Sequence, residues 1–328
     1  MIVASLWLPP DISTHGENID SLMRIIHYFM ALLFVGWGVF FVYCLLKFKA
    51  RSGQTARYDY IKAKPSKAAE LIVIAIEAVL LIMFSIPVWA AYRNEPPTPD
   101  KNPLEVHVVA QQFAWNMHYP GPDGKFGARR PELVDEATNP IGLDDSDPAA
   151  ADDVTTINQF YMCKDRPVIV RLTSKDVIHS FSVPMLRVKQ DSVPGMEIPI
   201  WFTATQTNDE VREQLAVTKA LPQSSDEDAV DGFLRRKKGM IAMADAGAAI
   251  KKGDLLTPTN IAAAIDEGVK EIQFAPADPI NIQCAQLCGL GHYRMMGQMQ
   301  ILECDAFDEW YASAGEEEEF FEDEEFDN

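Results

Sequence analysis

Two long apolar stretches constrain the fold of this 328-residue chain more than any other feature. They are "IIHYFMALLFVGWGVFFVYCLL" at 25–46 and "LIVIAIEAVLLIMFSIPVWAAY" at 71–92. Each is long enough to cross a hydrocarbon core of about 30 Å as a helix. The first is too long for a signal peptide, and no small-residue cleavage site follows it. Between them lies "KFKARSGQTARYDYIKAKPSK", whose Lys and Arg content assigns it to the cytoplasmic side. The pattern predicts a membrane hairpin with helices over 21–48 and 70–93 and a basic loop over 49–69. Residues 1–20 and everything beyond 93 then lie outside the cytoplasm. Glu77 interrupts the second stretch. A carboxylate facing lipid is costly, so Glu77 is expected to face a protein partner or water, as an interhelical contact or a proton relay.

After a Pro-rich linker at 94–103, β-type runs appear at 104–119, 166–174, 179–184, 196–205 and 297–303. In "PVIVRLT", Val168, Val170 and Leu172 alternate with Ile169 and Arg171, as in a half-buried strand. Short strands separated by turn residues predict an all-β sandwich or small barrel, built from 104–207 and 271–312. An Ala-, Lys- and Glu-rich α-containing insertion of mixed helix and turn is expected over 208–270. The terminal segment 313–328 holds "GEEEEFFEDEEFDN" and is predicted to be a disordered, solvated tail. The chain carries 29 Lys+Arg against 48 Asp+Glu. That balance excludes nucleic-acid binding by phosphate neutralisation and suits a basic protein partner.

Five cysteines are too few for a disulfide scaffold. Cys163 and Cys304 are expected to be buried thiols, or a pair if the soluble part meets an oxidising compartment. "CAQLCGLGHYRM" concentrates Cys284, Cys288, His292 and Met295 in twelve residues. A disulfide would account for the cysteines but not for the other two. Structural zinc sites have little use for a thioether. Thiolate, imidazole and thioether form the soft set that selects copper. A lone blue-copper centre uses one cysteine; two allow bridging thiolates to hold a second metal. A further imidazole is available upstream in "KDVIHSFSVP", at His179. His15 and His27 lie at the amino end or in the first span, and His107 and His118 sit in a strand pattern that reads as structural.

The collinear order of hairpin, basic loop, "QQFAWNMHYPG", "DVIHSFSVP", "VKQDSVPGM" and "CAQLCGLGHYRM" resembles subunit II of haem–copper cytochrome c oxidase, the subunit with the binuclear copper A centre. The resemblance implies a cupredoxin-like sandwich behind the two-helix transmembrane hairpin. It implies two coppers bridged by Cys284 and Cys288, each bound by one of His179 and His292. Met295 and the backbone carbonyl of Gln286 become the weak ligands. Electrons would come in near Phe113 and Trp115, although many members have Trp where this chain has Phe113. Glu70 matches a family position near a proton-uptake path, and Glu77 is a second candidate for it. A magnesium shared with subunit I is weakened here. Gln286 replaces a Glu common in the family, and an amide is a poorer hard-cation ligand, although Asp191 remains. The implied function is electron transfer within a respiratory terminal oxidase, from cytochrome c to haem in subunit I, where oxygen is reduced. The chain has no C-x-x-C-H haem-attachment motif, so the donor is cytochrome c or another separate c-type haem protein. A quinol oxidase subunit of the same architecture would lack the copper ligands. The implied partners are subunit I and the other oxidase subunits. The implied location is the inner (cytoplasmic) membrane, with the soluble domain on its periplasmic or outer side.

Overall fold

The computed structural model describes residues 8–53, 55, 64–235, 237 and 239–314. These fall into two compact units, a membrane unit and a β unit. Residues 12–14 belong to the β unit, with everything from 97 onward.

In the membrane unit, helix α1 spans Gly16–Lys47. It starts before the predicted residue 21 because the local chemistry favours an earlier start. A Cβ at Gly16 would overlap the Asp11 carboxylate. Glu17 lies in the first turn, where a negative charge complements the helix dipole, and it pairs with Arg24 at 2.5 Å. The second helical run comprises α2 (Lys64–Val79), a π-helical turn (Leu80–Ser85) and α3 (Ile86–Asn94). It too starts earlier than the predicted 70. Pro87 has no N–H to donate, and Ser85 Oγ bonds back to the Leu80 carbonyl at 3.3 Å. Both runs are long and apolar enough to cross a membrane. Their flanks expose large apolar side chains such as Leu32, Phe34 and Leu71, a surface suited to lipid or a partner. Glu70 and Glu77 are exposed on α2. Part of the predicted basic loop, residues 54 and 56–63, lies outside the described residues.

In the β unit, the predicted run 104–119 is a hairpin of β1 (Leu104–Gln111) and β2 (Ala114–Tyr119), with His107 opposite His118. After the acidic loop come β3 (Val154–Ile157), β4 (Gln159–Cys163), β5 (Val168–Ser174), β6 (His179–Val183), β7 (Val188–Ser192) and β8 (Ile198–Phe202). Helix α4 (Asn208–Leu215) is started by a capping box between Thr207 and Glu210. Next are β9 (Val217–Ala220), α5 (Glu227–Leu234), β10 (Met240–Ala242), α6 (Pro258–Asp266) and β11 (Glu271–Pro276). The chain then returns through β12 (Asn281–Cys284) and β13 (Met296–Leu302) to α7 (Cys304–Ser313).

Among the described residues, two five-stranded sheets, β3-β2-β1-β5-β8 and β4-β13-β12-β6-β7, form a sandwich. Period-2 alternation points Val106, Val108, Val170 and Leu172 inward from one sheet, against Phe160, Phe181, Ile282 and Met299 from the other. Ile12 joins this core, its N–H bonded to the Met185 carbonyl and its carbonyl to Thr205 N.

Two expectations need correction, and one left open is decided. The insertion is not only helix and turn. Strands β9, β10 and β11 form its own three-stranded sheet, and Ile272 and Phe274 of β11 pack with Val230, Ile250 and Ile261 in a separate core. The subdomain therefore runs to Pro276, past the predicted 270, whereas Val211 of α4 belongs to the sandwich core. Of the two readings left open for Cys163 and Cys304, the structure has the pair: a disulfide ties the start of α7 to the end of β4. The predicted tail begins too early, since residue 313 closes α7, and residues 315–328 lie outside the described residues.

Candidate metal centre

Local pairing places the donor groups. Strand β6 opens at His179, and β12 runs antiparallel to it with Cys284 opposite Phe181. Ala285 N donates to the Ser180 carbonyl at 2.9 Å, so the cysteine loop leaves the sheet beside the histidine strand. The loop closes on itself: a 3₁₀ turn spans His292–Arg294, and Cys284 N donates to the Met295 carbonyl at 3.3 Å.

The result is a cluster of soft donors. Cys284 Sγ lies 3.8 Å from Cys288 Sγ. His179 Nδ1 is 3.9 Å from Cys284 Sγ, and His292 Nδ1 is 3.5 Å from Cys288 Sγ. Met295 Sδ is 3.8 Å from Cys288 Sγ, and the Gln286 carbonyl oxygen is 3.1 Å from Cys284 Sγ. The His179, Cys284 and Cys288 donor atoms all lie within 4.8 Å of one another. A sulfur–sulfur separation of 3.8 Å is non-bonded. It matches two metal–sulfur bonds of about 2.3 Å meeting near the tetrahedral angle. These residues fit copper on both chemistry and spacing. Burial, and then the neighbouring Cys284 thiol, push the Cys288 thiol up to about 11. Metal binding at neutral pH must therefore displace its proton.

A second layer fixes the first. Asp176 Oδ1 accepts from His179 Nε2 at 2.8 Å, which leaves Nδ1 facing the thiolates. Asp176 also accepts from Gln112 N at 2.7 Å and Val177 N at 2.6 Å. Burial opposes its charge, yet the bonds from His179, Val177 and Gln112 outweigh burial and hold its carboxyl below the usual range. Sequence reasoning missed Asp176; the signal was its position three residues before His179 in "DVIH". Gln112 Nε2 donates to the Cys288 carbonyl. Phe113 packs against the same loop. A Cβ at Gly291 would overlap its ring, and the Arg294 guanidinium lies 5.8 Å from the ring centroid. Trp115 is fully buried, edge-on to His179 at 6.2 Å and to Phe181 at 5.5 Å. Of the two aromatic candidates, Phe113 alone is partly exposed.

The other sequence candidates lie apart from this cluster or at its edge. His107 stacks on Phe126 at 3.9 Å, and His118 Nε2 lies 2.6 Å from Asp153 Oδ2. Burial, with Arg129 nearby, pushes both histidines down to about 3. They are neutral packing groups at physiological pH. The Gln286 and Asp191 side chains are exposed. Met296, next to the donor Met295, is 53% exposed. With Leu287, Leu290 and Tyr293 it forms an exposed apolar rim on the cysteine loop.

The β unit is a sandwich with a cluster of soft donors able to hold metal, and the chain also has two helices long and apolar enough to cross a membrane. Residues 104–209 match the family described as cytochrome C oxidase subunit II, periplasmic domain. The chain is 29% identical over 202 residues to the alternative cytochrome c oxidase subunit 2 of Bradyrhizobium diazoefficiens, covering 61% of this chain and 70% of that protein. It is 26% identical over 208 residues to cytochrome c oxidase subunit 2 of Cereibacter sphaeroides, covering 60% and 65% of the two. A crystal structure of the periplasmic domain of subunit II of cytochrome oxidase from Bradyrhizobium japonicum covers 68% of this chain and 98% of its own, at 20% identity and a TM-score of 0.33. Over residues 104–209 the chain is thus similar to the periplasmic domain of cytochrome c oxidase subunit II, and the relatives named here are themselves oxidase subunits. It is a membrane-anchored protein with a periplasmic soluble domain.

Proposed function

We propose that this chain accepts single electrons from cytochrome c, or another c-type haem protein, and passes them to haem in subunit I of an oxygen-reducing oxidase in the inner membrane. The observation that carries the reading is the paired arrangement of donors around two unbonded cysteines. Six soft or neutral donors exceed what one tetrahedral ion takes. Two coppers would be held by all six: His179, Cys284, Gln286 through its carbonyl, Cys288, His292 and Met295. When bound, such a pair supplies a one-electron carrier whose charge is spread over two metals.

The chain's own residues keep that carrier rigid. Cys288 and Met295 are members of the sandwich core, so neither moves without disturbing packing. Asp176 holds the His179 ring, and Gln112 holds the Cys288 carbonyl. Phe113, partly exposed and seated on the cysteine loop, is the electron input. Glu70 and Glu77 serve the proton path or the contact with subunit I. The exposed Gln286 amide and Asp191 leave magnesium a weak site, because hard cations prefer carboxylates.

Rapid reduction of the purified oxidase complex by reduced cytochrome c tests this reading. Replacing Cys288→Ser is expected to lower the rate by more than about 100-fold, beyond the 10–100-fold typical of second-layer losses. An unchanged rate would remove the thiolates from the electron path.

A further inference from the structure

One short turn touches both sides of the soft-donor cluster. Strands β1 and β2 pair as far as Gln111 opposite Ala114, so Gln112 and Phe113 make the turn between them. On its other edge β1 runs beside β5, with Ala110 opposite Ser174, and Lys175 N donates to the Ala110 carbonyl. The turn therefore stands beside the start of the loop that leads from β5 to His179. Gln112 reaches in two directions. Its backbone N–H donates to Asp176 Oδ2 at 2.7 Å, and the other oxygen of that carboxylate accepts from His179 Nε2 at 2.8 Å. Its side-chain Nε2 donates to the Cys288 carbonyl. His179 lies on the Cys284 side of the cluster, 3.9 Å from that sulfur. Cys288 lies with His292 at 3.5 Å and Met295 at 3.8 Å. The cysteine loop is shaped for the contact. A Cβ at Gly289, whose φ of +138° already favours glycine, would come 2.7 Å from Gln112 Nε2.

We propose that Gln112 is a positioning residue that sets the His179–Cys284 side of the cluster against the Cys288–His292–Met295 side, a role that rests on the cluster being a two-copper centre. In such a centre the two imidazoles bind different ions, so the spacing of the two sides is the spacing of the metals. Asp176 orients one ring. Gln112 makes that orientation and the Cys288 backbone parts of one hydrogen-bonded unit. Few backbone dihedrals lie between the paired strands on either side of the turn. A shift of either ligand loop is therefore carried to the other through this residue.

Site-resolved thiol alkylation of the metal-stripped full chain in its purified complex, read by mass spectrometry, tests the assignment with no metal bound. Cys288 is 4% exposed and its carbonyl takes the Gln112 bond, whereas Cys284 closes β12 opposite Phe181. Gln112→Ala is expected to speed alkylation of Cys288 by up to about tenfold, the local opening that one lost hydrogen bond allows. Cys284 should keep its native rate. Gln112→Lys puts a donor back on a flexible stem and should return Cys288 toward the native rate. Gln112→Glu has the native shape without the donor and should behave like alanine. On the copper-loaded complex, competition with a chelator should show Gln112→Ala weakening copper retention about tenfold. Combined with Asp176→Asn, the loss should fall well short of the product of the two single losses, because both residues belong to one network. The assignment is overturned if both cysteines speed up alike, if Cys288 keeps its native rate in Gln112→Ala, if lysine and glutamate act alike, or if the two losses multiply. A parent complex holding a single metal would overturn the two-copper reading instead, and the alkylation rates would still decide the role of Gln112.

Discussion

The sandwich and the insertion bury side chains by the same rules and differ in what their cores are attached to. Among the described residues, thirty buried side chains form the sandwich core, and two of them, Cys288 and Met295, are also donors in the metal cluster. The insertion core gathers ten, and none of them belongs to that cluster. In the sandwich, the packed core and the soft-donor cluster share atoms. In the insertion, packing supports only a surface. Damage to one core should reach the metal centre, and damage to the other should not.

Paired core deletions give the largest expected contrast. Phe181→Ala and Phe274→Ala each remove a buried ring, at a cost of about 3–5 kcal/mol. Denaturant unfolding should register both. Only Phe181→Ala should disturb the copper absorption bands. Equal disturbance by Phe274→Ala would mean that the insertion is part of the centre's frame. Next in size is the disulfide, whose ends lie 141 residues apart. Replacing Cys163 and Cys304 by Ser should cost about 2–5 kcal/mol, seen as a lower unfolding midpoint of the sandwich with the insertion's own transition unmoved.

Asp176→Asn sharpens the comparison at closer range. It keeps the side-chain shape but weakens the bond that orients His179. Copper affinity should drop about 10–100-fold by competition with a chelator. A variant with native affinity would show that the strand alone positions the ring.

The smallest effect concerns pH. Burial depresses His107 to about 3. A depressed histidine contributes stability that is complete above its ordinary value near 6.5 and is lost as pH falls toward the folded value. Asp153 is raised to about 6, chiefly by burial, and works in the opposite sense. His107 is therefore the cleaner probe. His107→Phe keeps a ring against Phe126 and should flatten the loss of thermal midpoint between about pH 6.5 and 4. An identical slope would assign that loss to other groups.

What the sequence revealed follows the same division. The hairpin was legible because lipid demands long apolar runs, and the ligand loops because soft donors sit at tight spacing in "CAQLCGLGHYRM". Strands β9 and β10 were not legible. They have four and three residues, and β9 is exposed at every position, so neither shows alternation. Strand β11 does alternate, with Ile272 and Phe274 buried, but its partners are too short to announce a sheet. The Cys163–Cys304 bond depends on α7 folding back onto β4, which no spacing encodes. Asp176 was hidden because a carboxylate near a turn is common, and its meaning arises only when its neighbour's ring turns toward it.

The central claim rests on how many metals the two cysteines hold, and in what state. Elemental analysis of the purified complex before and after Cys288→Ser, paired with electron paramagnetic resonance of the oxidised protein, measures this directly. The account predicts the loss of two coppers from this chain, together with a seven-line signal from one electron shared between equivalent nuclei. A single copper with a four-line signal, a zinc ion, or a Cys284–Cys288 disulfide in active enzyme would contradict it.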